Sequence, residues 1–103
     1  MQLSMQFAGK LETLNQYDRE AVKNWVKGFL EKHSRLVNSG DLSLRLEQRE
    51  MKFRGIPLFS CKANFFTDRG KFVAIGEEYG IRQCVNMALN KVKKQLLKKK
   101  ERV

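Results

Sequence analysis

An α+β fold of order β-α-β-β-β-α, with a four-stranded mixed sheet and two helices packed on one face, is what this sequence predicts. Three observations lead there. Short segments alternate apolar and polar residues with a period of two. Two longer segments place apolar residues at helical spacing. The 103 residues, 42% hydrophobic and 10% aromatic, supply one core and not two.

The elements follow in order. Leu3, Met5 and Phe7 alternate with Gln2, Ser4 and Gln6, which reads as a half-buried strand. Asn15, with Asp18 three residues on, can open a helix, the acid sitting where the helix dipole favours negative charge. Val22, Trp25, Val26, Phe29 and Leu30 then form an apolar stripe continued by His33, and Asn38 to Asp41 is the expected stop. Leu42, Leu44 and Leu46 mark a second strand. Glu50 to Pro57 reads as a polar loop holding the only proline. A third strand is expected over Leu58–Phe66, a tight turn over Thr67–Gly70, and a fourth strand over Lys71–Gly76. Glu77 and Glu78 suit the start of a last helix, whose stripe is Ile81, Val85, Ala88, Val92 and Leu96, widened by Cys84 and Leu89. Residues 1–98 are expected to form a single domain and 99–103 a basic tail.

Each helix has one stripe to bury, and the simplest solution lays both on the same face of the sheet. The first crossover should join parallel strands, and the others should form antiparallel hairpins. The outward surfaces of the helices then lie side by side.

Charge gives that surface its meaning. There are 21 Lys and Arg against 11 Asp and Glu, a formal net charge of +10 and a pI near 10.0. From Lys91 to Val103 stand seven basic residues and one acid. Lys91, Lys94 and Lys98 share one helical face, and Lys93, Lys99, Lys100 and Arg102 add to it. On the first helix Lys23, Lys27 and Arg35 avoid the apolar stripe. The candidate RNA-binding residues are therefore Lys23, Lys27, Arg35, Lys91, Lys94, Lys98 and Lys100. Such a concentration favours a polyanionic partner. Lysine suits phosphate contact more than base reading, and Trp25 and Phe29 are expected in the core. The expected target is folded RNA, recognised by shape.

Other functions find little support. His33 and Ser34 are adjacent on a helix and do not face each other, so no nucleophile–base pair forms there. Gly70, Gly76 and Gly80 lack the spacing of a phosphate-binding loop. Cys61 and Cys84 with one histidine are too few ligands for zinc, and two buried thiols are the simpler reading. The first ten residues lack a signal peptide's basic start and apolar run, and no stretch is long enough for a membrane helix. The expectation is a cytoplasmic protein with no cofactor, no metal, no small-molecule substrate and no membrane contact. Two further readings stay open: a double-stranded RNA-binding domain, and an interaction module for an acidic protein.

Beyond the pattern, the chain resembles the short ribosome hibernation-promoting factors of the ribosome-associated inhibitor and sigma-54 modulation protein family. Met1-Gln2-Leu3 looks like the family's first strand, and Ala21-Val22-Lys23-Asn24-Trp25-Val26 is similar to its first helix. Cys61 through Lys100 resembles its strand, turn, strand and basic helix, and Asn90 to Leu96 is the best-matching helical run. The chain departs from the family pattern at Glu78 to Asn86, where the Tyr is displaced and Asn86 stands for the usual Asp, and in a longer middle loop around Glu47 to Phe53. The resemblance implies a non-catalytic factor that sits in the mRNA–tRNA channel of the small ribosomal subunit, contacts its rRNA, and blocks translation. It also implies that the chain lacks the dimerising domain of longer members and is monomeric away from the ribosome.

Overall fold

The computed structural model describes residues 2–9, 11, 14–33, 40–53, 56–67 and 70–101. Six elements are present: β1 (Gln2–Ala8), α1 (Gln16–Lys32), β2 (Gly40–Phe53), β3 (Ile56–Thr67), β4 (Gly70–Glu78) and α2 (Ile81–Glu101). The fold is α+β in the expected order.

The strands form one mixed sheet in the order β1-β2-β3-β4. β1 runs parallel to β2, with Leu3 beside Leu42 and Phe7 beside Leu46. β2–β3 and β3–β4 are antiparallel. Period-two alternation gives the sheet two unlike faces. Leu42, Leu44, Leu46, Cys61, Ala63, Phe65, Phe72 and Ala74 point into the core, whereas Ser43, Arg45, Lys62 and Lys71 point out. Val22 and Val26 of α1 and Cys84, Val85, Ala88, Leu89, Val92 and Leu96 of α2 join the same apolar cluster. Both helices therefore cover one face and leave the other open.

Local chemistry fixes the ends of α1. Asn15 accepts the Asp18 N–H at 2.8 Å, and its amide donates to the Asp18 carboxylate at 2.9 Å, so the cap satisfies an otherwise orphaned donor. At the other end the His33 N–H donates to the Phe29 carbonyl. The stop expected at Asn38 to Asp41 lies outside the described residues, save that Gly40 and Asp41 already belong to β2.

Three boundaries differ from expectation. The loop anticipated over Glu50–Pro57 is mostly strand: β2 and β3 continue as a two-stranded ribbon beyond the ends of β1 and β4. A register shift between Arg49 and Lys52 hides this in the sequence, because a bulge breaks the alternation by which a strand is recognised. Pro57 sits in that ribbon, where β3 has only β2 beside it and a missing N–H is tolerated. Glu77 and Glu78 are the last residues of β4, not the first of a helix. Glu77 instead meets Arg49 at 3.5 Å. α2 carries no acid in its first turn. Finally, the α2 backbone stays helical to Glu101, through the first residues of the segment expected as a tail.

Gly76 decides how closely α2 approaches β4. A β-carbon there would come within 2.7 Å of the Cys84 carbonyl oxygen and 2.8 Å of the Ala88 nitrogen. The space is used: the Cys84 thiol donates to the Gly76 carbonyl at 3.2 Å. Gly70, which closes the β3–β4 connection, has φ +127°, a value that favours glycine.

Candidate nucleic-acid interface

The buried stripe of α2 divides its cations into two groups. On the flank next to β4, the Lys91 ammonium donates to the Ile75 carbonyl at 2.7 Å, and the Gln95 amide donates to the Val73 carbonyl at 3.0 Å. β4 is an edge strand, so these side chains cap carbonyls that have no neighbouring strand. Lys94 and Lys98, three and seven residues on from Lys91, are exposed on the outward side of this row. On the opposite flank, facing α1, the Arg82 guanidinium lies 5.3 Å over the Trp25 ring. Lys93, eleven residues further and so on the same side, acts on His33 at the end of α1.

α1 is divided in the same way. Lys23 lines a groove with Leu3, Met5 and Phe7 of β1, where Arg19 stacks on Phe7 at 5.1 Å. Lys27 follows four residues on and is exposed. Lys32, seven residues on from Trp25, shares the α2-facing side.

The helices do lie side by side, but the lysines singled out in the sequence do not converge on their seam. Lys23 sits over the β1 edge and Lys91 over the β4 edge, the two opposite margins of the sheet. The charge on the side-by-side helices forms a band across the helical layer. Its margins hold Lys23 with Lys27 and Lys91 with Lys94 and Lys98, and its middle holds Lys32, Arg82 and Lys93. Arg35 lies outside the described residues. Lys100 is on the helical backbone of α2, with no described side chain. Lys32 and Arg82 were missed by sequence reading. The i, i+7 step from Trp25 to Lys32 and the i, i+11 step from Arg82 to Lys93 are the signals that reveal them.

Among the described residues the ion pairs lie on the sheet, although Lys62 and Lys71 of its open face have no acid partner. The pairs are Arg45–Glu47 at 3.7 Å, Arg49–Glu47 at 3.9 Å and Arg49–Glu77 at 3.5 Å, all on strands. None involves a helical lysine. Burial, and then the Lys93 and Lys32 charges, hold the His33 pKa below its ordinary value. The thiols are chemically quiet. Both are free and buried, with burial pushing Cys61 up to about 12 and Cys84 to about 11. Among the described residues no group of His, Cys, Asp or Glu could hold a metal ion, and no helix is long and apolar enough to cross a membrane.

A four-stranded mixed sheet with two helices on one side is a small α+β fold with solved members. The chain has the fold of a ribosomal subunit interface protein from Coxiella burnetii, with a TM-score of 0.71 over 98% of this chain and 99% of that one, at 15% identity. It is one of 16 solved chains that match, and no curated protein does. The family model of the hibernation factor Hib, C-terminal domain, matches residues 4–103. The chain belongs to this hibernation-factor family, in keeping with the resemblance read from its sequence.

Proposed function

We propose that the chain binds the small ribosomal subunit through its helical layer, against rRNA of the mRNA–tRNA decoding channel, and keeps idle ribosomes from translating. Residues 1–98 act as one ribosome-binding domain, and 99–103 extend its charge. The mechanism is occupancy, not catalysis. Cations on a rigid frame replace counterions along the RNA backbone, and the bound domain fills the space that messenger and transfer RNA need.

The observation that carries this reading is where the unpaired cations concentrate: among the described residues, Lys23, Lys27, Lys32, Arg82, Lys91, Lys93, Lys94 and Lys98 stand on the helical layer, against Lys62 and Lys71 on the open face. Arginines of the open face are matched to carboxylates, while the described helical lysines have no acid partner. Unpaired cations on one layer of a +10 chain suit a phosphate surface. Family membership and the name of the Coxiella burnetii protein support the ribosome as the source of that surface. The proposed contacts are Lys23, Lys27, Lys94 and Lys98, with Lys91 at the margin and Arg35 and Lys100 beyond what the structure describes. The protein works as a monomer off the ribosome, in the cytoplasm.

Sedimentation tests the proposal. The protein should travel with small subunits at low salt and leave them at high salt, since each phosphate contact steepens the salt dependence. RNase treatment should release it. Lys94→Glu with Lys98→Glu should abolish co-sedimentation and leave thermal unfolding unchanged; a double variant that still sediments with the subunit sinks the assignment of the surface.

A further inference from the structure

The seam between the helices carries an odd residue. Gly28 stands inside α1, four residues before its end, where glycine costs about 1 kcal/mol relative to alanine. Packing within the chain does not require it: a β-carbon at Gly28 would meet nothing within 4 Å.

Its neighbours are informative. Gly28 follows Trp25 by three residues and precedes Lys32 by four, so it lies on the solvent side of the α1 row that faces α2. Opposite stand Arg82, fixed on the Trp25 ring, and then Lys93, which acts on His33. The α1 row of Trp25 and Lys32 carries no acid beyond Asp18 in the first turn, which is engaged with Asn15, while Glu31, three residues on from Gly28, is exposed on the solvent side of that row. Two helices thus hold Arg82 at one end of the seam and Lys32 with Lys93 at the other, and the floor between them is bare.

We infer that this seam is a track for an RNA sugar–phosphate backbone, and that Gly28 is glycine so that the strand can come down onto the α1 backbone. The inference rests on the ribosomal reading and deepens it, by naming where a strand runs and by adding Gly28, Lys32 and Arg82, which no sequence pattern singled out. Arg82 contributes a planar fork whose face is occupied by Trp25 and whose N–H edges stay free for phosphate. Lys32 and Lys93 take the next phosphates. Seven residues of helix separate Trp25 from Lys32, about 10 Å, so the contacts belong to consecutive parts of one strand.

The test uses the opposite signs that the two explanations of Gly28 give. Purified small subunits are the probe, read by sedimentation and by equilibrium titration of a labelled chain. Gly28→Ala should raise the melting temperature while weakening subunit binding, and Gly28→Gln should weaken it by about tenfold or more. Lys32→Gln with Lys93→Gln should lower affinity and flatten its salt dependence. Wild-type affinity in Gly28→Gln overturns the seam. If Lys94→Glu with Lys98→Glu still abolishes binding in that case, the ribosomal reading survives and only the track is lost. A Gly28→Gln defect whose salt dependence equals that of wild type, with Lys32 and Lys93 dispensable, would assign the seam to a protein surface and also overturn the inference.

Discussion

The Lys91 ammonium donates to the Ile75 carbonyl oxygen at 2.7 Å, across sixteen residues of chain, and so closes part of the sheet's exposed edge. Lys94, one turn on, has no comparable anchor. Two lysines of one helical row thus differ in kind. Lys91→Ala should cost about 1 kcal/mol in urea unfolding, the usual net worth of a hydrogen bond, and should promote self-association through the opened edge. Lys94→Ala should stay within about 0.5 kcal/mol of wild type, as exposed side chains do, and should lose more ribosome affinity. Equal stability losses would place Lys91 among the free cations.

Gly76 and Gly28 make a matched pair with opposite outcomes. A methyl at Gly76 strikes backbone atoms of Cys84 and Ala88, which cannot rotate away. Gly76→Ala should therefore destabilise by about 1–3 kcal/mol, the range for overpacking, because α2 must lift from β4. Urea midpoints measured side by side, with Gly28→Ala rising and Gly76→Ala falling, check both.

Much of this fold was legible in the sequence, for a physical reason. Each strand of the core sheet has one buried and one solvated face, so Leu42, Leu44 and Leu46 announce themselves by alternation. The α2 stripe is equally plain. The β2–β3 ribbon was not legible, because a bulge between Arg49 and Lys52 interrupts the period and a proline suggests a loop. The sequence showed that the helices carry charge, and helical spacing correctly kept Lys91, Lys94 and Lys98 together. It did not show which flank of the helix faces the partner helix. That depends on tertiary packing: Val85, Leu89 and Val92 set the rotation of α2, and the rotation sends Lys91 to β4 and Arg82 to Trp25.

The two thiols should be inert in the native protein. Burial raises Cys61 to about 12 and Cys84 to about 11, so thiolate is scarce at pH 8. Iodoacetamide should modify neither without denaturant and both in urea. The linkage has a definite sign. Folded pKa values above the ordinary thiol value of 9.0 mean that the stability held by the neutral thiols is intact below pH 9. It is lost as pH rises through 9 toward 11–12. Cys61→Ala should flatten that alkaline decline, and an unchanged slope in the variant would show that other groups drive it.

His33 gives a local reading of charge in the seam. Burial lowers its pKa first, and Lys93 and Lys32 lower it further. A depressed histidine pKa means that the folded chain takes up its proton later than the unfolded chain does. Stability associated with His33 is therefore present above the ordinary value of 6.5 and is lost as pH falls through that value toward the lower folded pKa. Titration of the imidazole by NMR should show Lys93→Gln moving the pKa upward, toward 6.5. Saturating the protein with small subunits cannot be followed this way, but a short RNA oligonucleotide can. Its phosphates, placed between Lys32 and Lys93, should raise the His33 pKa, because an anion beside the ring favours imidazolium. In Lys94→Glu with Lys98→Glu, whose substitutions lie on the outward side of the other flank, the free-protein His33 pKa should change little. An oligonucleotide that binds without moving His33 would place the phosphates on the margins of the helical layer and away from its middle.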